Sequence, residues 1–232
     1  MTGKVAIITG GSRGVAAGVV AGYRERGWAV VASARTISQS QDPDLLTVAG
    51  DIAEPATADR IVGETLERFG RVDTLVNSAS TYLSKPFTSY TDADYAAVTG
   101  VSLAGFFWLT QRAIADMAVR YGGHVVTVLA GSADPGTPAV LAALITGGLA
   151  AATRSLATEY VSYGIRVNAV AHGIIQGPLH PAGSYENLGG RLPPPGIASQ
   201  VSDVVDAVLF LESSPPLTGE ILSVDGDQNA GR

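Results

Sequence analysis

Residues 5–16, Val5-Ala-Ile-Ile-Thr-Gly-Gly-Ser-Arg-Gly-Val-Ala16, decide the fold. A short β-branched and apolar run ends in a glycine-rich turn, and apolar residues at helical spacing follow the turn. A helix that begins after such a turn directs free N–H groups at a pyrophosphate, and glycines let the backbone approach it closely. The stretch predicts a dinucleotide-binding unit, although a glycine-rich turn without a ligand is the alternative. The residues expected to contact the nucleotide are Gly10, Ser12, Arg13, Gly14 and Val15.

The same alternation of strand and helix patterns continues to the end of the chain. Predicted strands cover residues 4–9, 29–32, 45–48, 72–76, 125–129, 165–170 and 221–224, and the helices after the first cover residues 58–69, 92–120, 139–161 and 201–211. This alternation is typical of a parallel sheet with helices on both faces. We therefore predict one α/β domain over residues 1–232, with a doubly wound parallel sheet of about seven strands. A full crossover helix is not expected within residues 35–44.

Composition excludes several kinds of function. The 232 residues carry a formal net charge of −6 and contain no cysteine, which excludes disulfides, thiolate nucleophiles and cysteine metal sites. The acidic balance gives no basic surface for nucleic acid, and no His, Asp and Glu grouping has the spacing of metal ligands. The sequence shows neither a signal segment nor a bilayer-spanning run, so we expect a cytoplasmic protein without a membrane partner.

The end of the second predicted strand indicates which dinucleotide is bound. Residues 32–35, Ala-Ser-Ala-Arg, have no acidic side chain where a ribose 2′-hydroxyl would be held. Arg35, together with Arg13 of the glycine turn, is placed instead to pair with a 2′-phosphate. NADP(H) is therefore favoured over NAD(H), with a solvated loop cation as the alternative interpretation of Arg35.

Five stretches in order give the chain a resemblance to a known family. They are Thr9-Gly-Gly-Ser-Arg-Gly14, Gly50-Asp-Ile52, Asn77-Ser-Ala-Ser80, Ile165-Arg-Val-Asn-Ala-Val170 and Thr218-Gly-Glu-Ile-Leu-Ser-Val-Asp-Gly226. Through them the chain resembles the short-chain dehydrogenase/reductase family over nearly its whole length. The resemblance implies a Rossmann-type fold and an oxidoreductase acting on a small carbonyl or alcohol substrate. It also implies a homodimer or homotetramer through the helices at residues 92–120 and 139–161. The further cofactor contacts that it implies are Asp51, Ile52, Asn77, Ala79, Gly173 and Ile175.

The family's catalytic asparagine, serine, tyrosine and lysine are the main departure. Residues 122–159 contain neither tyrosine nor lysine, so no realignment restores the expected Tyr-x-x-x-Lys. The four family positions fall on Ser102, Ala130, Ala142 and Thr146. Carbonyl reduction needs a proton donor at the developing alkoxide, so ordinary family chemistry should be badly impaired.

A retained redox activity would need a substitute for these groups. His172 lies on the segment expected to pass the nicotinamide, and Ser132 reaches the site if the loop after the fifth strand curls back. Tyr82 is expected to cover apolar surface, and Lys85 to be a solvated loop cation.

The segment at residues 177–197 is expected to be a substrate lid, because its five prolines and five glycines predict an irregular loop over the sheet's carboxyl edge.

Three functions stay open at this point. The first is an NADP(H)-dependent oxidoreductase with a rearranged acid. The second is a non-redox enzyme, such as a cyclase or isomerase, on the same scaffold. The third is a catalytically inactive binding subunit.

Overall fold

The computed structural model describes residues 3–130, 139–173, 175 and 199–226. Ser132 and the predicted lid at residues 177–197 lie outside the described residues. The strands are β1 Val5–Thr9, β2 Ala29–Ala34, β3 Leu45–Ala49, β4 Thr74–Asn77, β5 Gly123–Ala130, β6 Ile165–His172 and β7 Ile221–Val224. The α-helices are α1 Gly14–Glu25, α2 Pro55–Phe69, α3 Asp92–Thr99, α4 Gly105–Val119, α5 Val140–Tyr160 and α6 Val201–Glu212.

All seven strands pair in parallel, in the order β3-β2-β1-β4-β5-β6-β7. The order reverses direction between β1 and β4, which is the switch point where ligands bind in open α/β sheets. No helix joins β2 to β3, as the short connection predicts. The predicted fold class, a doubly wound parallel sheet of the Rossmann type, is confirmed.

Helices cover both faces of the sheet, and each face has its own apolar core. On one face α1 and α6 pack through buried residues such as Val19, Val204 and Val208. On the other face α2 and α4 pack through Ile61 and Leu109, among others. Each strand in the middle of the sheet is therefore buried on both sides, which explains its nearly continuous apolar sequence.

The predicted helix at residues 92–120 is interrupted. It begins at a capping box, because the Thr91 hydroxyl accepts a bond from the Asp94 N–H while the Asp94 carboxylate accepts one from the Thr91 N–H. A π-helical turn at Gly100–Ala104 then separates α3 from α4. Such wide turns occur frequently at functional sites, and this one contains the family position Ser102.

Lys85 is not the solvated cation that the sequence predicts. Its ammonium lies 2.6 Å from Asp94 Oδ2, so it ties the segment after β4 to the start of α3. The hydrogen bond from Lys85, with those from Thr91, lowers the pKa of Asp94 to about 2. This ion pair fixes the loop that carries Tyr82.

A buried polar cluster around Glu212 joins α1, β4, β5 and α6 at the amino edge of the sheet, and His124 extends it to β6. Glu212 Oε2, at the end of α6, accepts hydrogen bonds from Tyr23 Oη of α1 at 3.0 Å and from Thr74 Oγ1 of β4 at 2.8 Å. His124 Nδ1 of β5 lies 3.0 Å from the same oxygen, and its Nε2 lies 3.0 Å from the Asn168 amide nitrogen. An imidazole with a donor amide at Nε2 and a carboxylate at Nδ1 is neutral, with its proton on Nδ1. Burial accordingly lowers the pKa of His124, against the raising effect of Glu212.

Helix α5 is unusually apolar. With the turn that follows it, Val140–Tyr163 is long and apolar enough to cross a membrane by length and composition. The inner side chains Leu141, Ile145 and Leu149 pack instead with Leu129 of β5, so they belong to the core of the domain. One third of its most apolar 18-residue stretch is buried in the isolated chain, and the outward Leu144 is 62% exposed.

Candidate nucleotide and substrate site

The turn between β1 and α1 requires its glycines. Gly10 and Gly14 have φ values of +76° and +60°, a region that side chains disfavour. A Cβ on Gly10 would lie 3.2 Å from Ala79 Cα, so the turn and the segment after β4 are in close contact. The Gly11 N–H donates to the Ser33 carbonyl of β2 at 3.0 Å. These contacts set the first turn of α1, which contains Val15, at the carboxyl edge of the sheet.

Two arginines lie at this edge without partners. Arg13 is the N-cap residue of α1, makes no side-chain cap bond and is exposed, as is the neighbouring Ser12. Arg35 follows β2 directly and is also exposed. In the described part of the chain neither guanidinium forms a hydrogen bond or an ion pair, whereas Arg24 holds Asp42 at 2.9 Å. The edge beside the glycine turn and the end of β2 is therefore cationic, with Asp42, the first acidic residue after β2, already paired.

Four further predicted nucleotide contacts, Asp51, Ile52, Asn77 and Ala79, lie at or just after the ends of β3 and β4. Ile52 is buried against α4, and the Asn77 amide donates to Thr110 Oγ1 at 2.9 Å. The Ala79 N–H donates to Thr9 Oγ1 at 3.0 Å. Asp51 is exposed, and its Oδ1 accepts the Ala53 N–H at 3.0 Å. The structure brings Ile52, Asn77 and Ala79 together in one pocket, while Asp51 lies outside the lining of that pocket.

This pocket opens beside the switch point and has an empty volume of about 590 Å³, part of which is open to solvent. It is enclosed by the ends of β4 and β5, the π turn, α4 and α5. Tyr82, which is 49% exposed, lines the pocket and is the one ionisable side chain among its described lining residues. The lining residues that the sequence had singled out as cofactor or family positions are Ile52, Asn77, Ala79, Ser102, Ala142 and Thr146.

Three of the four family positions converge in this pocket. Ser102 is buried, and its Oγ accepts a long hydrogen bond of 3.4 Å from the Thr81 N–H. Ala142 and Thr146 stand one turn apart on α5. Ala130 ends β5 in register with His172, and its side chain is outside the described part of the structure. The small side chains on α5 leave open the space beside them.

His172 lies at the end of β6 and is not among the described residues that line the pocket. Its Nδ1 lies 2.8 Å from the Gly173 carbonyl oxygen. Burial lowers the pKa of His172, against the raising effect of the bond to Gly173. The Gly173 N–H donates to the Val224 carbonyl at 3.1 Å, and Ile175 forms an isolated parallel bridge with Ser199.

Sequence reasoning missed Thr127. This residue of β5 lines the pocket and is 2% exposed, and in the described part of the chain its hydroxyl has no hydrogen-bond partner. The one available signal was a hydroxyl in the otherwise aliphatic run of residues 125–129. Among the residues that the structure describes, no group of three or more His, Cys, Asp or Glu side chains is placed to hold a metal ion.

The sheet order, the glycine turn at its switch point and the adjoining pocket define a nucleotide-binding α/β protein of the Rossmann type. A family model described as enoyl-(acyl carrier protein) reductase matches residues 10–227. The chain belongs to this family, and the resemblance to short-chain dehydrogenases/reductases is confirmed.

Known relatives span nearly the whole chain. A protein proposed to be ketoacyl reductase 2 of the granaticin polyketide synthase in Streptomyces violaceoruber is 34% identical, over 96% of this chain and 94% of its own. The 3-oxoacyl-[acyl-carrier-protein] reductase FabG of Escherichia coli K12 is 30% identical, over 97% and 96%. The crystal structure of a gluconate 5-dehydrogenase from Burkholderia cenocepacia, in complex with NADP and tartrate, superposes with a TM-score of 0.87 at 25% identity and covers 100% of this chain and 97% of that one.

Proposed function

We propose that the protein binds NADP(H) at the turn between β1 and α1 and acts as an oxidoreductase on a small carbonyl or alcohol substrate. The observation that carries this proposal is the pair of exposed guanidiniums of Arg13 and Arg35, which have no partner among the described residues and lie beside a glycine turn without a carboxylate. Such an edge suits a 2′-phosphate and has no acidic side chain at the end of β2 to hold a free 2′-hydroxyl. The NADP complex of the structural relative supports the same assignment.

The cofactor would lie across the carboxyl edge of the sheet. Besides the glycine turn, Asp51 and Ile52 would flank the adenine. Asn77 and Ala79 would lie along the ribose and the central strand, and Gly173 and Ile175 near the nicotinamide end. When bound, the dinucleotide supplies or accepts a hydride. The protein's own part is to orient it over the pocket beside α5.

Cofactor selectivity tests the assignment of Arg35. The Arg35→Ser variant should weaken NADPH binding by about tenfold, because it loses one charge-assisted contact, and leave NADH binding unchanged. Arg26→Ser is the matched control, since Arg26 is another exposed arginine at the opposite end of α1. An equal loss of NADPH affinity in both variants, or none in Arg35→Ser, would remove the support for a 2′-phosphate site.

The active site is proposed to be non-standard, with His172 or Ser132 in place of the missing tyrosine and lysine. Because the lowered pKa of His172 keeps its imidazole neutral near pH 7, the ring suits accepting a proton from an alcohol better than donating one to a ketone. His172→Ala should therefore slow alcohol oxidation most and remove its acid-side pH dependence. Turnover unchanged in both His172→Ala and Ser132→Ala would exclude both groups as the proton donor or acceptor.

A second candidate is a non-redox enzyme, such as a cyclase or isomerase, on the same scaffold. It is favoured by the simultaneous replacement of all four family positions, Ser102, Ala130, Ala142 and Thr146. Product formation with NADPH unchanged would support it, and strict stoichiometric consumption of NADPH would end it. An inactive binding subunit is the third candidate, and turnover by the isolated chain would count against it.

We further infer that residues 1–232 form one domain, with residues 177–197 as the substrate lid. We also infer that the protein is cytoplasmic and has no nucleic-acid or membrane partner. We infer that it forms a homodimer or homotetramer. The outward faces of α4 and α5 support self-association, because Phe107 is 53% exposed and Leu144 is 62% exposed. Light scattering should give a dimer or tetramer at micromolar concentration, and Leu144→Lys should shift it toward smaller species. A monomeric wild-type protein would refute the assembly.

A further inference from the structure

The imidazole of His124 has two hydrogen-bond donors at one of its nitrogens. The residue is 2% exposed, and its Nδ1 lies 3.0 Å from Glu212 Oε2. A carboxylate only accepts hydrogen bonds, so Nδ1 carries the proton and Nε2 is an acceptor. The Asn168 amide nitrogen lies 3.0 Å from Nε2, and a guanidinium nitrogen of Arg166 lies 3.4 Å from it. This environment therefore suits the neutral ring alone.

The Asn168 side chain also holds the connection between α6 and β7. Its nitrogen donates to the Leu217 carbonyl at 3.0 Å, and its oxygen accepts the Glu220 N–H at 3.0 Å. These two bonds fix the orientation of the amide. Exchanging its nitrogen and oxygen would place a donor against the Glu220 N–H and an acceptor against the Leu217 carbonyl. The nitrogen therefore serves His124 and Leu217 at the same time.

A second proton on His124 is incompatible with this arrangement on one side of the ring. The protonated Nε2 would face the Asn168 amide nitrogen and the Arg166 guanidinium without an acceptor. Asn168 could accept from it only by turning its amide over, which breaks the bonds to Leu217 and Glu220. On the other side of the ring, Nδ1 would keep its bond to Glu212 and gain an ion pair. The amide can thus hold either the connection or a protonated His124.

Several elements contribute charged or titratable groups around this ring. These groups are Glu212 of α6, Arg166 of β6, Lys4 before β1, Tyr23 of α1 and Asp73 before β4. Burial has the largest effect and lowers the pKa of His124, Glu212 raises it, and the two cations lower it. Tyr23 bonds to Glu212 rather than to the ring. The Asp73 carboxylate accepts the Val5 N–H at 2.8 Å.

We propose that His124 is a proton-dependent switch on the connection between α6 and β7. Neutral His124 holds Asn168 on Leu217 and Glu220, whereas protonated His124 releases the amide and the connection opens. The pair with Glu212 stays closed in both states. The switch acts on the edge strand of the sheet, since β7 begins directly after Glu220.

The direction of the pH dependence follows from the two states. In the closed state the pKa of His124 is lowered, while in the open state the hydrated imidazole regains its ordinary value of about 6.5. The open state therefore binds the proton more readily. Closure is favoured fully above this value, and the preference for it is lost as pH falls below it.

Amide hydrogen exchange of the nucleotide-free protein, followed by NMR near pH 7.5 and near pH 5.5, tests the switch. The Glu220 N–H reports the bond to Asn168. The Val30 N–H is the internal control, because it donates to the Asp44 carbonyl at 2.8 Å near the opposite edge of the sheet. Protection is expressed relative to the unstructured chain at the same pH. It should fall about tenfold at Glu220, the effect of one proton over one pH unit below 6.5, and stay constant at Val30.

Two variants identify the group that titrates. His124→Gln does not titrate and keeps an acceptor for Asn168, so its protection at Glu220 should be independent of pH, although it loses the bond to Glu212. His172→Gln removes another histidine with a lowered pKa and should retain the tenfold change. In the wild type, the ring-nitrogen NMR signals of His124 should report protonation of Nε2 over the same pH range, which needs no variant.

Constant protection at Glu220 in the wild type, or the same pH dependence in His124→Gln, would overturn the switch. The switch does not rest on the proposed function, because exchange is measured without nucleotide. A protein that binds NADPH and shows constant protection at Glu220 would keep the cofactor assignment and lose the switch. A protein that binds no nucleotide but shows the tenfold change would keep the switch alone.

Discussion

Replacing Tyr23 with phenylalanine tests the polar cluster that joins α1, β4, β5 and α6. The change removes one of three hydrogen bonds to Glu212 Oε2 and keeps the aromatic ring, which packs edge-on against Trp28 at 4.9 Å between centroids. A hydrogen bond to a charged group contributes about 1.5–3 kcal/mol, and Tyr23 is fully buried, so solvent cannot replace it. We expect the free energy of unfolding to fall by about 2 kcal/mol, or the melting temperature by roughly 4–8 °C.

The dependence of this loss on pH follows from the pKa of Glu212. Burial alone would raise this pKa, but the hydrogen bond and the electrostatic attraction of His124, together with the hydrogen bonds from Thr74 and Tyr23, outweigh it and lower the value from 4.5 to about 2. A carboxyl with a depressed pKa contributes stability that is present above its unfolded pKa and is lost as pH falls toward its folded pKa. The contribution is about 3 kcal/mol, lost between pH 4.5 and pH 2. The difference in free energy of unfolding between the wild type and Tyr23→Phe should therefore decrease as pH falls over the same interval.

Urea unfolding near pH 7 and near pH 3, followed by circular dichroism, measures both effects. Tyr95→Phe is the control, because it makes the same chemical change at a side chain that is 58% exposed, and should be nearly neutral. If Tyr23→Phe is no less stable than Tyr95→Phe near neutral pH, the cluster does not stabilise the fold as described.

Three further perturbations have definite expected outcomes. Thr127→Val should raise the free energy of unfolding of the ligand-free protein by about 1 kcal/mol, because an unsatisfied hydroxyl becomes a methyl group. Urea unfolding measures this change, and a loss of stability would contradict the prediction. Gly10→Ala should lower the free energy of unfolding by about 1–2 kcal/mol and abolish NADPH binding, because Gly10 has a φ of +76°. Gly63→Ala is the control: a Cβ at this position in α2 meets open space, so the change should be neutral or stabilising. Ala142→Tyr combined with Thr146→Lys should raise ketone-dependent NADPH oxidation by roughly 10²- to 10⁴-fold, whereas Ala142→Phe with Thr146→Lys should not.

The sequence predicted the framework because its signals are local. A glycine turn like that at Gly10 and Gly14, directly after a buried strand, is typical of nucleotide-binding folds. The alternation of strand and helix patterns along the chain predicts the parallel sheet. The connection after β2 was likewise predicted to have no helix because its length allows none. These features depend on spacing along the chain, which is visible in one dimension.

The parts that sequence did not predict depend on contacts between distant segments. The π turn at Gly100–Ala104 was not predicted, because a helical pattern in the sequence does not record one extra residue in a turn. The ion pair of Lys85 with Asp94 needs the loop after β4 to return to α3. Thr127 is an ordinary strand residue until the partners of its neighbours are known.

Comparing NADPH and NADH binding by the unmodified protein tests the central claim most directly. Each nucleotide would be titrated at fixed ionic strength, with nicotinamide fluorescence as the signal. Arg13 and Arg35 predict that NADPH binds at least about tenfold more tightly than NADH, the value of one charge-assisted contact. Equal affinities, tighter NADH binding, or no binding of either nucleotide would contradict an NADP(H) site at the turn between β1 and α1.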